Sequence, residues 1–220
     1  LRIDVEVLRG AGEISADGGH ADGGVGAGAG GGGRIAIYYV DRSGFTGTVH
    51  AYGGALVPDV VKATSVGGAG TVYWKGAGQG YGDLVLDNLF RAQSTSRTQL
   101  RRVGSGTITS MGPTFLTAAG PFPTTDTRLT GQWVVVKNST LAPFAILTNT
   151  ANMITTDPAS GTITSVGAAG DPYQGAIVLD NLTVRRNAAF NTLTDLIIIA
   201  TGASTVTEGG SLTAPPVVHW

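Results

Sequence analysis

The 220 residues balance 14 Lys or Arg against 15 Asp or Glu, for a net charge of −1, at a mean hydropathy of +0.17. That excludes a disordered chain, which combines low hydropathy with high net charge, and it withholds the basic excess that nucleic-acid binding needs. With no cysteine, disulfides, thiolate metal sites and cysteine nucleophiles are excluded too.

Glycine, at 35 residues, is about twice its usual share, while charged residues, at 13%, are about half of theirs. Val, Ile, Thr and Ser fill the remainder, which is strand-and-turn chemistry and predicts an all-β fold.

In chain order, Leu1 to Val7 alternates apolar and charged residues and reads as a half-exposed edge strand. Gly10 to Gly33 is Gly-rich and reads as an ordered turn where backbone packs on backbone, in preference to a linker. Arg34 to Val40, Gln132 to Val136 and Leu196 to Ile199 are nearly continuously apolar, as in strands covered on both faces in parallel sheets. Asn187 to Leu196 is the best helical stretch, and a weak one. The longest apolar run, Leu196 to Ala200, is far too short to span a bilayer as a helix. The chain opens on Leu1, not Met, which reads as a piece of a longer precursor.

Two pairs of segments repeat. Gly82-Asp-Leu-Val-Leu-Asp-Asn-Leu89 returns as Gly175-Ala-Ile-Val-Leu-Asp-Asn-Leu182, and Ser105-Gly-Thr-Ile-Thr-Ser-Met-Gly112 as Ser160-Gly-Thr-Ile-Thr-Ser-Val-Gly167. Looser copies start at Gly12, Gly47 and Gly70. The unit is a glycine, a short alternating strand and a turn, the Asp-Asn pairs ending the strand because both residues tolerate the left-handed conformation. Such spacing predicts a β-solenoid, a right-handed single-stranded parallel β-helix, with a β-sandwich as the alternative. Residues 1–112 form its Gly-rich part and 113–130, with Pro113, Pro121 and Pro123, an irregular connection. Residues 131–220 form a second β part continuous with the first.

The strings Gly12 to Gly19, Gly30 to Tyr39, Gly44 to Gly54, Ala69 to Lys75 and Gly82 to Asn88 resemble the Gly-rich repeat modules of large bacterial cell-surface proteins with a parallel β-helix fold. The resemblance covers about the first ninety residues; the remainder matches through the repeated Leu-Asp-Asn and Gly-Thr-Ile-Thr units. It implies export and a scaffold or adhesin role, and it transfers no catalytic motif.

Candidate chemistry is sparse. Gly28 to Gly33 matches GxGxxG, but the strand from Arg34 stands where the dinucleotide mechanism needs a helix. Asp17 and Asp22 in a Gly-rich turn are weak calcium candidates, since carboxylates and turn carbonyls suit that ion; no other cofactor is expected. His20, His50 and His219 share no ligand spacing. Asp83, Asp87 and Asp180 are candidates for polysaccharide cleavage, although Asp87 and Asp180 belong to the repeated turn. Tyr73, Trp74 and Tyr81 are candidate carbohydrate contacts, as are Tyr38 and Tyr39; alternation exposes about half of them, and core or rim packing is the competing reading.

The expectation is a non-catalytic extracellular or cell-surface module, structural or adhesive, possible as the subunit of a homopolymeric fibre; the alternative is a carbohydrate-binding or polysaccharide-processing β-helix. Its expected partners are copies of itself or neighbouring repeats, and surface glycans, with no nucleic acid and no membrane span. Leu1 to Val7 without a cap, and the apolar end Pro215 to Trp220, suggest end-to-end contact.

Overall fold

Alternating and β-branched segments become strands throughout a computed structural model of the chain, which describes residues 1–21, 28–55, 66–91, 97–98, 100, 102–122, 129–137, 141–191, 196–213 and 217–219. The fold is all-β. Two single 3-10 turns, Pro158–Ser160 and Ile163–Ser165, are the helical pieces among the described residues.

The first stack holds β1 (Arg2–Val7), β2 (Glu13–Ser15), β3 (Arg34–Asp41), β4 (Thr48–His50) and β5 (Thr71–Gly76). β1, β3 and β5 run parallel side by side, and β2 pairs in parallel with β4. A contact such as Tyr52 N–H to Asp17 therefore joins residues 35 apart. Ile35, Ile37, Ala51 and Val72 are buried inside, with Ile3, Ile14 and Val49 packed against them. β1 is an edge strand whose charged residues face out, as its alternation predicts.

The third side of this stack is made of glycine. Segments 16–21, 30–33, 51–55 and 66–70 carry no regular strand ladder. Gly33 N–H donates to the Ala16 carbonyl and Gly30 N–H to that of Gly19; Gly70 donates to Ala51 and Gly67 to Gly54. Within each of these two pairs the bonds recur at three-residue steps, the period of the polyproline II helix, which has no internal hydrogen bonds. Gly54 N–H to the Gly30 carbonyl ties the two pairs together. The described parts of the Gly-rich run thus pack backbone on backbone, while residues 22–27 of it lie outside the described ones.

The turn at 77–82, with Gly82 at φ 88°, reverses the chain. β6 (Asp83–Asp87) returns antiparallel to β5. From residue 103 the chain builds β7 (Ser105–Gly112), β8 (Phe115–Ala118), β9 (Trp133–Val136), β10 (Pro143–Asn149), β11 (Met153–Thr156) and β12 (Pro172–Leu179). Their antiparallel pairings form a closed cycle, β7–β8–β11–β10–β9–β12 and back to β7. Ile108, Leu116, Phe122, Val134, Ile154 and Ile163 are buried together with the other inward residues of this unit. The Pro-containing stretch 113–130 contributes β8; residues 123–128 lie outside the described ones.

The last part adds β13 (Asn181–Arg185), β14 (Ala189–Asn191), β15 (Leu196–Ala200), β16 (Ser204–Val206), β17 (Ser211–Thr213) and β18 (Val217–His219). Three parallel ladders result: β12–β15–β18, β6–β13–β16 and β14–β17. Contacts between neighbouring parallel strands here span 22 residues, as from Ala203 N–H to Asn181. Leu86, Leu182, Val184, Phe190 and Ile198 fill the space between the ladders. β15 is buried along its length, as an apolar run between two parallel neighbours should be.

The like-sequence segments meet only at the end of the second: β6 lies against β13, with Asp83 opposite Asn181, while β12 lies against β15. Some expectations fail in detail. Ser105–Gly112 is strand β7, yet within its repeat at 160–167 Ile163–Ser165 is a 3-10 turn, directly after the one that Asp157 caps through Ala159 N–H. Gln132 to Val136, read as parallel, pairs antiparallel on both sides. In the weak helical stretch, Ala189–Asn191 is strand β14.

The Asp-Asn pairs are not left-handed turns either; after β6 it is Leu89 and Phe90 that take positive φ. Asn88 is buried and accepts from Gly53 N–H. Asn181 opens β13, donates to Asp83 at 2.6 Å and accepts from Ala203 N–H at 2.9 Å. Asn181→Ala removes both bonds, so an unfolding free energy about 1–2 kcal/mol lower is expected from chemical denaturation. An unchanged midpoint would show that the two bonds contribute nothing.

Candidate binding groove

The two-residue period of strands puts Arg34, Ala36 and Tyr38 of β3 on one face of the large sheet. The parallel register sets Thr71, Tyr73 and Lys75 of β5 beside them, and Leu84 of β6 follows opposite Tyr73. Across from this face stand Gln132, Trp133 and the β12 backbone from Ala176 to Leu179. Tyr81, from the turn between β5 and β6, reaches over to Trp133. Together they line a groove of about 440 Å³ between the large sheet and the cyclic unit.

Its rings meet edge to face, Tyr38 with Tyr73 at 5.9 Å and Tyr81 with Trp133 at 5.3 Å. All four are partly exposed. The Tyr73 hydroxyl donates to the Tyr81 carbonyl, which fixes the turn to the sheet. Burial, helped by the neighbouring Tyr38, Asp180 and Asp83, pushes the Tyr73 phenol up to about 12. Lys75 Nζ donates to the carbonyls of Gln79, at 2.6 Å, and of Gly80. The Gln132 side-chain oxygen is buried and has no hydrogen-bond partner among the described residues. Arg34 and Lys75 are the charged residues of the lining.

Of the predicted aromatic contacts, Tyr73 and Tyr81 thus share one groove with Tyr38. Trp74 does not join them. Adjacent strand residues point oppositely, and Trp74 packs on the other face against Tyr39 and Phe45, with the Arg42 guanidinium 4.5 Å above its ring. Gln132, Trp133, Arg34 and Lys75 were not anticipated. For Lys75 a signal existed, since it shares parity with Tyr73; for Gln132 and Trp133 there was none, because they arrive from the cyclic unit.

The acidic candidates have other partners. Asp17 holds His50 Nδ1 at 2.8 Å and accepts from Tyr52 N–H at 2.7 Å. Glu13 lies 3.1 Å from the other ring nitrogen of His50. Asp22 lies outside the described residues. Among the described residues no group of three or more His, Cys, Asp or Glu is arranged around a common metal position. Asp83 accepts from Asn181 and Gln79, Asp180 from the Tyr81 and Gly82 amides, and Asp87 from two arginines.

No helix among the described residues is long and apolar enough to cross a membrane. Comparison with protein families, with curated proteins and with solved structures finds no match for this chain.

Proposed function

We propose that the chain is a non-catalytic structural or adhesive module of an exported, cell-surface protein, and that its parallel ladders are the stacked coils of a β-solenoid. The observation that carries this reading is the coil repeat itself: contacts between successive coils span 35 residues in the first stack and 22 in the last. Each coil buries its apolar side chains against the next, so the load is shared along the stack and the outer faces are free for presentation.

Stacking of this kind leaves open strands at its limits. β1 pairs on one side alone, with Leu1 63% and Val7 42% exposed, and β16 is the opposite edge of the same sheet. Unpaired edges of unlike sequence favour a heterologous contact, which propagates in place of closing as a dimer. Sedimentation velocity across micromolar concentrations tests the self-associating form. The expected result is concentration-dependent growth of elongated species, seen as filaments in negative stain. A monomer at every concentration would remove the fibre reading. A second reading, carbohydrate binding, is favoured by the aromatic groove.

A further inference from the structure

We infer that the groove between the large sheet and the cyclic unit binds an acidic oligosaccharide, a sugar segment carrying a carboxylate. This deepens the adhesive reading, resting on it for the idea that the ligand is a surface glycan. The groove chemistry itself does not depend on filament formation.

Three independent features of the lining converge. Tyr38, Tyr73, Tyr81 and Trp133 supply four partly exposed rings on opposite walls. Their edge-to-face contacts tie Tyr38 to Tyr73 on one wall and Tyr81 to Trp133 across from it. A pyranose ring offers flat C–H faces to such walls and hydroxyls at its rim, matching side chains that are apolar in body and polar at the tip. The volume, about 440 Å³, falls among those of small-ligand sites.

The Gln132 oxygen is a buried acceptor without a donor. Leaving such an atom dry costs free energy, and natural proteins pair nearly all of them with protein, water or ligand. Gln132 lines the groove, and a side-chain rotation that brings this oxygen out of its buried position would offer it to a sugar hydroxyl.

Charge selects the acid. The lining contributes Arg34 and Lys75 and no carboxylate; the acids behind it that bear on Tyr73, Asp180 and Asp83, are engaged by the Tyr81 and Gly82 amides and by Asn181 and Gln79. Lys75 donates to two carbonyls, of Gln79 and Gly80, which aim its ammonium without neutralising it and leave its third N–H for a ligand. Asp4 and Glu6 lie beyond Tyr38, bordering a neighbouring shallow depression with Lys75, and Asp4 is paired with Arg2. An acidic sugar therefore meets cations within the groove and carboxylates outside it, which orients the chain along it.

Titration calorimetry of the whole chain with galacturonate, glucuronate and mannuronate oligomers, each against its methyl ester, tests this. Binding of at least one acid oligomer is expected, with its ester about tenfold weaker, the scale of a charge-assisted hydrogen bond. Trp133→Ala should abolish that binding, and Gln132→Glu, which keeps the size and sets a like charge against the ligand, should weaken it about tenfold or more. Trp74→Phe, on the opposite face, should leave it unchanged. The proposal is overturned if no acid oligomer binds, if ester and acid bind alike, or if Gln132→Glu, shown folded by its circular dichroism, binds as the parent does. Tight binding of a proline-rich peptide in place of the sugars would overturn it too. None of these outcomes alters the sedimentation result, so failure of the groove and failure of the fibre reading are separable.

Discussion

Asp87→Ala should lower the unfolding free energy by about 3 kcal/mol, the low end of the range for breaking a buried ion pair. The Asp87 side chain is 9% exposed and serves three neighbours. It accepts from Arg185 Nε at 2.8 Å, from Arg186 through both Nε and Nη2, and from the Leu89 amide at 2.9 Å. The same Arg186 reaches the Tyr52 hydroxyl at 3.1 Å, so one carboxylate links β6, β13 and the segment that follows β4. Its hydrogen bond to Asp87 is the main reason the Arg186 guanidinium holds its proton still more firmly than usual. Truncation strands that cation over the Tyr52 and Phe90 rings without a counter-charge. Arg185, 45% exposed, can turn to water, which places the loss at the lower limit. For a chain of this size the melting temperature should drop by about 6–12 °C. A drop under about 2 °C, roughly the scale of a surface substitution, would mean these bonds are replaced by water at little cost.

Gly67→Ala should be at least as damaging, at about 3 kcal/mol or more. A Cβ on Gly67 would strike the Gly30 carbonyl and lie 2.9 Å from Gly54 N, all of it backbone. The atoms it meets are those whose hydrogen bonds hold the layer, Gly54 to Gly30 and Gly67 to Gly54. No side chain can rotate away, so overpacking and broken bonds add. Gly19→Ala is the internal control, because a Cβ there meets nothing within 4 Å. Thermal melts of the two variants should differ sharply, Gly19→Ala staying within about 0.5 kcal/mol of the parent. Equal melts would mean that the layer does not pack backbone on backbone.

Much of the strand content was legible because its cause is local. Ile35 and Ile37 alternate with Ala36 and Tyr38, and Leu196 to Ala200 is apolar throughout; both patterns state which faces are covered. What the pattern could not state was partnership. Leu-Asp-Asn recurs at 86 and 179, yet the structural partner of β6 is β13, set by a register in which Asp83 meets Asn181. Similarity between segments reports a shared local shape, whereas pairing is decided by what each strand buries. The Gly-rich layer was legible as close packing but not as a three-residue period, since glycine lacks the side chains that reveal a periodicity. Half the groove was legible: Tyr73 and Tyr81 are near in sequence, but Trp133 reaches them through the cyclic unit.

The partnership of β6 with β13 has a kinetic cost. Hydrogen bonds such as Asn181 to Asp83 and Arg185 to Asp87 join residues 98 apart. During synthesis the first stack is complete once β5 has emerged, and β6 can fold back on it at once. Its other edge then waits, unpaired, while the whole cyclic unit appears and closes. Contacts this distant in sequence slow folding, and an open strand edge invites pairing with other chains. The interval between β6 and β13 is therefore when this chain is most exposed to aggregation, and faster closure of the cycle shortens it.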